Sequence, residues 1–194
     1  MSQAIALLVG LGNPGADYVG TRHNAGEDFV AFVAQKHKIA LKPEPKCHGL
    51  TGRGIISGHE IRLLIPTTFM NRSGKAVAAM TSFYKIEPSA MLVAHDELDL
   101  EPGTARFKLG GSSSQNGIKD IVSALGNVRD FYRLRIGIGH PGNASQVTGW
   151  VLGRAPAAER DAIHACIAEA ERSLPHALNG DWAKAMNQLH QFSV

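Results

Sequence analysis

Leu7-Leu8-Val9-Gly10-Leu11-Gly12-Asn13-Pro14-Gly15, continued by Thr21-Arg22-His23-Asn24-Ala25-Gly26, is the stretch around which the chain is organised. The apolar run from Ala4 to Val9 reads as a buried strand. It breaks into a loop with Gly10, Gly12 and Gly15, where glycine admits positive φ and lets a ligand approach the backbone. Asn13 on this loop and His23 at the head of the next helix set an amide and an imidazole beside exposed backbone. Such a setting binds and activates something small. The helix is expected to begin at Asn24, with Glu27 completing a capping box. It should run to about Lys38 with Phe29, Phe32 and Val33 on one side.

Gly10-x-Gly12-x-x-Gly15 after a strand also matches the dinucleotide-binding fingerprint. In that motif the third glycine already lies in a helix whose first turn holds a pyrophosphate. Here Pro14 precedes Gly15, and Ala16 to Gly20 shows little helical pattern. No acid lies between Asp28 and Glu44, so the ribose-binding carboxylate expected about 20 residues on is missing. Nucleotide-dependent oxidoreduction is set aside on these grounds.

The 194 residues suit one domain, and 44% hydrophobic content is enough for its core. The formal charge of +3 is a mild bias toward an anionic partner. It concentrates between Thr104 and Arg135, where six bases face two acids, a local net of +4. Taken alone such a cluster is usually a solvated face. Cys47 and Cys166 stand far apart without metal-ligand spacing, which fits a reducing cytoplasm. Neither a membrane span nor a cleavable leader is expected.

Along the chain, Lys42 to Lys46 reads as a turn-rich connector, and Gly49–Ile56 and Ile61–Ile65 as a hairpin through Ser57-Gly58-His59. Lys75 to Tyr84 suits a helix with Val77, Met80 and Tyr84 on its packed side. A strand Ala90–Ala94 delivers His95-Asp96-Glu97, and Thr104–Leu109 alternates as another strand. Asn116 is the expected N-cap of a helix through Leu125. A strand Tyr132–Ile138, an Ala-rich helix from Pro156 to about Leu174 and a last helix from Asp181 to near Leu189 complete the chain. The class is α/β, a single domain with a twisted mixed β-sheet flanked by helices on both faces.

Ligands of open α/β sheets gather beyond the C-terminal strand ends. Asn13, Asn71 and Asp96 follow strands, while His23 and Asn116 stand beside helix starts. If these loops share a rim, the pocket holds one histidine, one carboxylate and three amides. That set suits hydrolysis with neither metal nor cofactor: imidazole takes a proton from water, the carboxylate sets its tautomer, and amide donors meet the oxyanion. Singly, each residue is as well explained as a turn former or cap. No Gly-x-Ser-x-Gly elbow supports covalent catalysis.

Val9 to Gly15 with Tyr18 and Thr21 to Gly26 resembles the signature of the bacterial peptidyl-tRNA hydrolase family. The likeness continues through Ile65 to Gly74, Val93 to Asp99, Arg133 to Gly142 and Val151 to Gly153, in the family's order and spacings. The resemblance implies a monomeric, cytoplasmic enzyme that cleaves the ester joining a peptide to the 3′-terminal ribose of tRNA, releasing tRNA from stalled translation. It implies His23 as catalytic base, Asp96 as the carboxylate orienting it, and Asn13, Asn71 and Asn116 as positioning amides. Met70 would line the pocket and Tyr18 would pack on the substrate end. Lys108 and Arg135 would grip tRNA phosphate, giving the basic segment a partner.

One run departs from the pattern. The family usually has Gly-Gly-His-Asn-Gly where this chain reads Ser113-Ser114-Gln115-Asn116-Gly117, in a loop one residue shorter. Gln115 replaces the histidine and serines replace glycines, a change expected to alter loop mobility and the placement of Asn116 while leaving His23 and Asp96 untouched. A non-catalytic RNA-binding relative of the family is therefore the alternative.

Overall fold

A computed structural model describes residues 4–194. Its strands are β1 (Leu7–Gly10), β2 (Lys42–Glu44), β3 (Gly49–Ile56), β4 (His59–Pro66), β5 (Met91–Glu97), β6 (Ala105–Leu109) and β7 (Tyr132–Gly137). They form one mixed sheet in the order β2-β3-β4-β1-β5-β7-β6. The middle four strands run parallel, and β2, β3 and β6 pair antiparallel at the two sides. The helices are α1 (Ala25–Lys36), α2 (Ser73–Phe83), α3 (Asn116–Ala124), α4 (Val147–Val151), α5 (Ala157–Leu178) and α6 (Trp182–His190).

Strand alternation divides the core into two layers. Leu8 of β1 joins a cluster with Phe29 and Val33 of α1, Leu174 of α5 and Leu189 of α6. Leu7 and Val9 face the other way, onto Val77 and Met80 of α2 and Ile121 of α3. Both faces of the sheet are thus covered, as the α/β pattern requires.

Helix α1 sits unusually close to the sheet. A Cβ on Gly26 would overlap the carbonyl oxygen of Ala94, and one on Gly10 would overlap that of Gly26. Only Gly15 of the three loop glycines has positive φ, at 105°. Gly10 and Gly12 therefore serve helix packing rather than the ligand access expected of them: a Cβ on Gly12 would meet Asn24 at 2.9 Å.

Several expectations need correction. The connector at Lys42–Lys46 contains β2, an edge strand that tolerates Pro43 because one side of it needs no ladder donor. Asp96 lies within β5, which continues past Ala94 because β7 pairs with it through Glu97. Tyr84 is the C-cap of α2 and half-exposed, stacked under the Arg62 guanidinium at 3.6 Å. Helix α5 runs through Pro175 to Leu178. Full burial of Leu174, Ala177 and Leu178 outweighs the ~3 kcal/mol cost of an interior proline.

Asp28 on α1 has its carboxyl pushed from 3.8 up to about 7, chiefly by burial and then by neighbouring Glu27. The folded state thus keeps a proton that the unfolded chain releases first, so stability falls as pH rises from about 4 to about 7. Asp28→Asn should raise the urea-unfolding free energy by about 1–3 kcal/mol at about pH 8 and leave it unchanged near pH 4.

Candidate active site

The rim of the sheet at the C-terminal ends of β1, β4 and β5 carries a cavity of about 280 Å³. Asn13, His23, Met70, Asn71, Asp96 and Asn116 all line it. His23 sits in a 3₁₀ turn, Arg22–Asn24, just before α1. Its Nδ1 is 2.8 Å from Oδ2 of Asp96, both side chains being buried. A carboxylate only accepts, so Nδ1 donates and Nε2 is left as the basic nitrogen. The second carboxylate oxygen is also engaged: Gln115 Nε2 donates to Oδ1 at 3.0 Å. The pair is therefore not independent of the altered loop, contrary to expectation.

Asn24 does not cap α1 with its side chain. Its Oδ1 instead accepts from Asn13 N at 2.8 Å, and its Nδ2 donates to Asn13 O and Glu27 Oε2, each at 3.0 Å. The Asn13 loop needs these bonds more than the helix end does, because its own N–H and C=O are otherwise buried without partners. Asn13 Oδ1 in turn accepts from Met70 N at 2.7 Å, so the Nδ2 hydrogens remain for the cavity. The Met70–Arg72 turn is held by Ser73 Oγ, which donates to Met70 O at 2.7 Å. Asn71 and Asn116 are exposed at the mouth, their amides unengaged by described residues. Asn116 stands in the first turn of α3 rather than capping it, and Gln115 is the cap, its Oε1 accepting from Ile118 N at 2.8 Å.

Tyr18 is not part of the cavity lining. It packs edge-on against Phe69, which is. Helix α4 closes the remaining side with Val147, Thr148 and Val151, joined by its C-cap Leu152. Arg22 holds this wall: Nη1 donates to Trp150 O at 3.0 Å and the guanidinium stacks on the indole at 3.6 Å.

A second cavity of about 420 Å³ adjoins the first, sharing Glu97 and Ser114 with it. Lys108, Arg133, Arg135 and His95 line it. Arg135 is held by Glu97 at 2.9 Å, whereas Lys108 is exposed. Arg133 is a structural cation, donating to Gly111 O and Arg129 O. Burial and the nearby Arg129 push it down to about 10, still charged at neutral pH. Burial lowers His95, which stays neutral and donates Nδ1–H to Asp96 O at 2.8 Å. The basic segment is thus no single face, since Lys119 and Arg129 line a separate hollow beside α3. Among the described residues no group of three or more His, Cys, Asp or Glu side chains is placed to hold a metal. No helix there is long and apolar enough to cross a membrane.

A family model for peptidyl-tRNA hydrolase matches residues 7–194. The chain belongs to the peptidyl-tRNA hydrolase family. It is 58% identical over 190 residues to the peptidyl-tRNA hydrolase of Pseudoalteromonas atlantica, covering 98% of each chain. It is 56% identical over 195 residues to that of Vibrio parahaemolyticus, covering both fully. The crystal structure of peptidyl-tRNA hydrolase from Acinetobacter baumannii superposes with a TM-score of 0.94 at 49% identity, covering 97% of this chain and 96% of that one. This chain thus has the fold of the peptidyl-tRNA hydrolases.

Sequence reasoning missed Phe69, Gln115 as a contact of Asp96, and the α4 wall. An aromatic residue beside Met70 in a polar loop was a usable signal for the first. The wall had none, because it depends on the Arg22–Trp150 contact across 128 residues. Asn24 is the residue whose loss the Asn13 loop should feel most. Asn24→Ala should lower stability by about 1–3 kcal/mol in chemical denaturation. Asn24→Asp should cost nearly as much, because it keeps the acceptor but loses both donors.

Proposed function

We propose that this chain hydrolyses the ester between the peptide and the 3′-terminal ribose of peptidyl-tRNA, with His23 activating the attacking water. Family membership supplies the reaction and its tRNA substrate. The observation that carries the mechanism is the 2.8 Å contact of His23 Nδ1 with buried Asp96 in a cavity shared with three asparagines.

Water seated between His23 Nε2 and the ester carbonyl loses its proton to Nε2 as its oxygen bonds to carbon. Asp96 stabilises the imidazolium that forms and keeps the ring in one tautomer. Asn13, its Oδ1 already committed to Met70 N, presents Nδ2 hydrogens to the developing oxyanion. Asn71 and Asn116 position ester and water from the mouth. Collapse breaks the carbon–oxygen bond to the ribose, and the 3′-oxygen takes the proton back from Nε2. The products are the peptide acid and free tRNA. Met70 shapes the cavity, and Tyr18 supports the substrate end through Phe69. Lys108 and Arg135 hold backbone phosphate beside the cleavage site. We read the chain as a cytoplasmic monomer acting as one domain over residues 1–194. Cys47 and Cys166 are buried, so neither is placed to link two copies of the chain by a disulfide.

A non-catalytic RNA-binding role is not favoured, because a binder has no need of a buried imidazole–carboxylate pair facing a cavity. Purified protein should release tRNA from an N-blocked aminoacyl-tRNA. His23→Ala should lower kcat about a thousandfold or more. Lys108→Ala and Arg135→Ala should instead raise KM and flatten its salt dependence. Wild-type turnover in His23→Ala would remove the base from this mechanism, and tRNA binding without any turnover would favour the RNA-binding reading.

A further inference from the structure

The Gln115 side chain is buried between two elements that the mechanism depends on. Its orientation is not ambiguous. Ile118 N–H requires an acceptor and meets Oε1 at 2.8 Å, and the Asp96 carboxylate requires a donor and meets Nε2 at 3.0 Å. Nε2 also touches Met70 Sδ at 3.1 Å. The backbone is tethered as well, Gln115 N donating to Ser113 Oγ at 3.1 Å, a bond the usual glycine of this loop has no side chain to make. Asp96 is thereby gripped from both sides, Oδ2 by the His23 ring and Oδ1 by the Gln115 amide.

We propose that Gln115 is a positioning residue for catalysis, orienting the Asp96 carboxylate against His23 while capping α3 and so coupling the base to the helix that carries Asn116. Catalysis acts through this contact because a carboxylate free to rotate spends less time aligned with Nδ1, and the imidazolium is then less well stabilised. An amide supplies the donor without titrating, so no proton leaves this position across the working pH range. The other ionisable groups lining this cavity are His23, Asp96 and Glu97, and Glu97 is already paired with Arg135.

The inference rests on the His23–Asp96 mechanism above, and its two roles come apart in one substitution. Gln115→Glu keeps an acceptor for Ile118 N–H, so the α3 cap survives, but it removes the amide donor and brings a second carboxylate to Asp96. The kcat should fall about tenfold to hundredfold with KM within about threefold of wild type. The acid limb of the kcat profile should move to higher pH by about half a unit or more, because added negative charge favours the imidazolium. Gln115→Met, of similar length with neither donor nor acceptor, should lose kcat similarly and also unfold at lower temperature. Wild-type kcat and an unmoved acid limb in folded Gln115→Glu would show a cap and nothing more. Should that variant not fold, wild-type kcat in Gln115→Met would overturn the proposal equally. If His23→Ala keeps its turnover, the mechanism itself fails; if His23→Ala is inactive while both Gln115 variants match wild type, only this inference does.

Discussion

The closeness of α1 to the sheet is the constraint from which the site follows. Gly26 lies against the Ala94 carbonyl so tightly that no side chain fits, and Leu11 N donates to that same oxygen at 3.1 Å. Glu27 N then donates to Leu11 O at 3.0 Å, tying the helix start to the loop leaving β1. With the first turn of α1 held there, His23 has one place to go, over Asp96 two residues beyond Ala94 on β5. A methyl group at Gly26 would lift the helix, and with it the base. Burial and hydrogen bonding are thus spent on one alignment rather than on a flexible pocket.

Around that alignment the residues divide by charge. The first cavity holds asparagine amides and the Asp96–His23 pair, with Glu97 on the side it shares with the second, while the cationic side chains lie next door. Glu97, at the end of β5, stands in the wall between the two and holds Arg135. In the proposed mechanism this separation matters. Phosphate is gripped by cations, while the ester meets uncharged donors where charge develops only in the transition state.

Much of this was legible in the chain. Ser57-Gly58 takes positive φ at both residues, 51° and 80°, as a tight hairpin demands, and the strand alternation around it is plain. His23, Asp96 and the three asparagines line one cavity at the rim of the parallel strands, although Asp96 lies inside β5 and Asn116 inside α3 rather than in the loops where they were expected. The misreadings share a physical cause: local preference gave way to a distant partner. Asn24 looks like a cap until the Asn13 backbone claims its amide. Pro175 looks like a stop until the burial of Leu178 is counted. Gln115 looks like a loop substitution until Asp96, nineteen residues away, is seen to accept from it. Tertiary contacts of this kind leave no local trace in sequence.

In the proposed mechanism the buried Asp96 carboxylate holds the His23 imidazole by Nδ1 and leaves Nε2 as the base. Asp96→Asn tests it most directly, because it preserves shape while offering the ring an amide in place of an obligate acceptor. With folding verified by its unfolding temperature, kcat on an N-blocked aminoacyl-tRNA should drop about a thousandfold or more at little-changed KM. A kcat within about threefold of wild type would contradict the account.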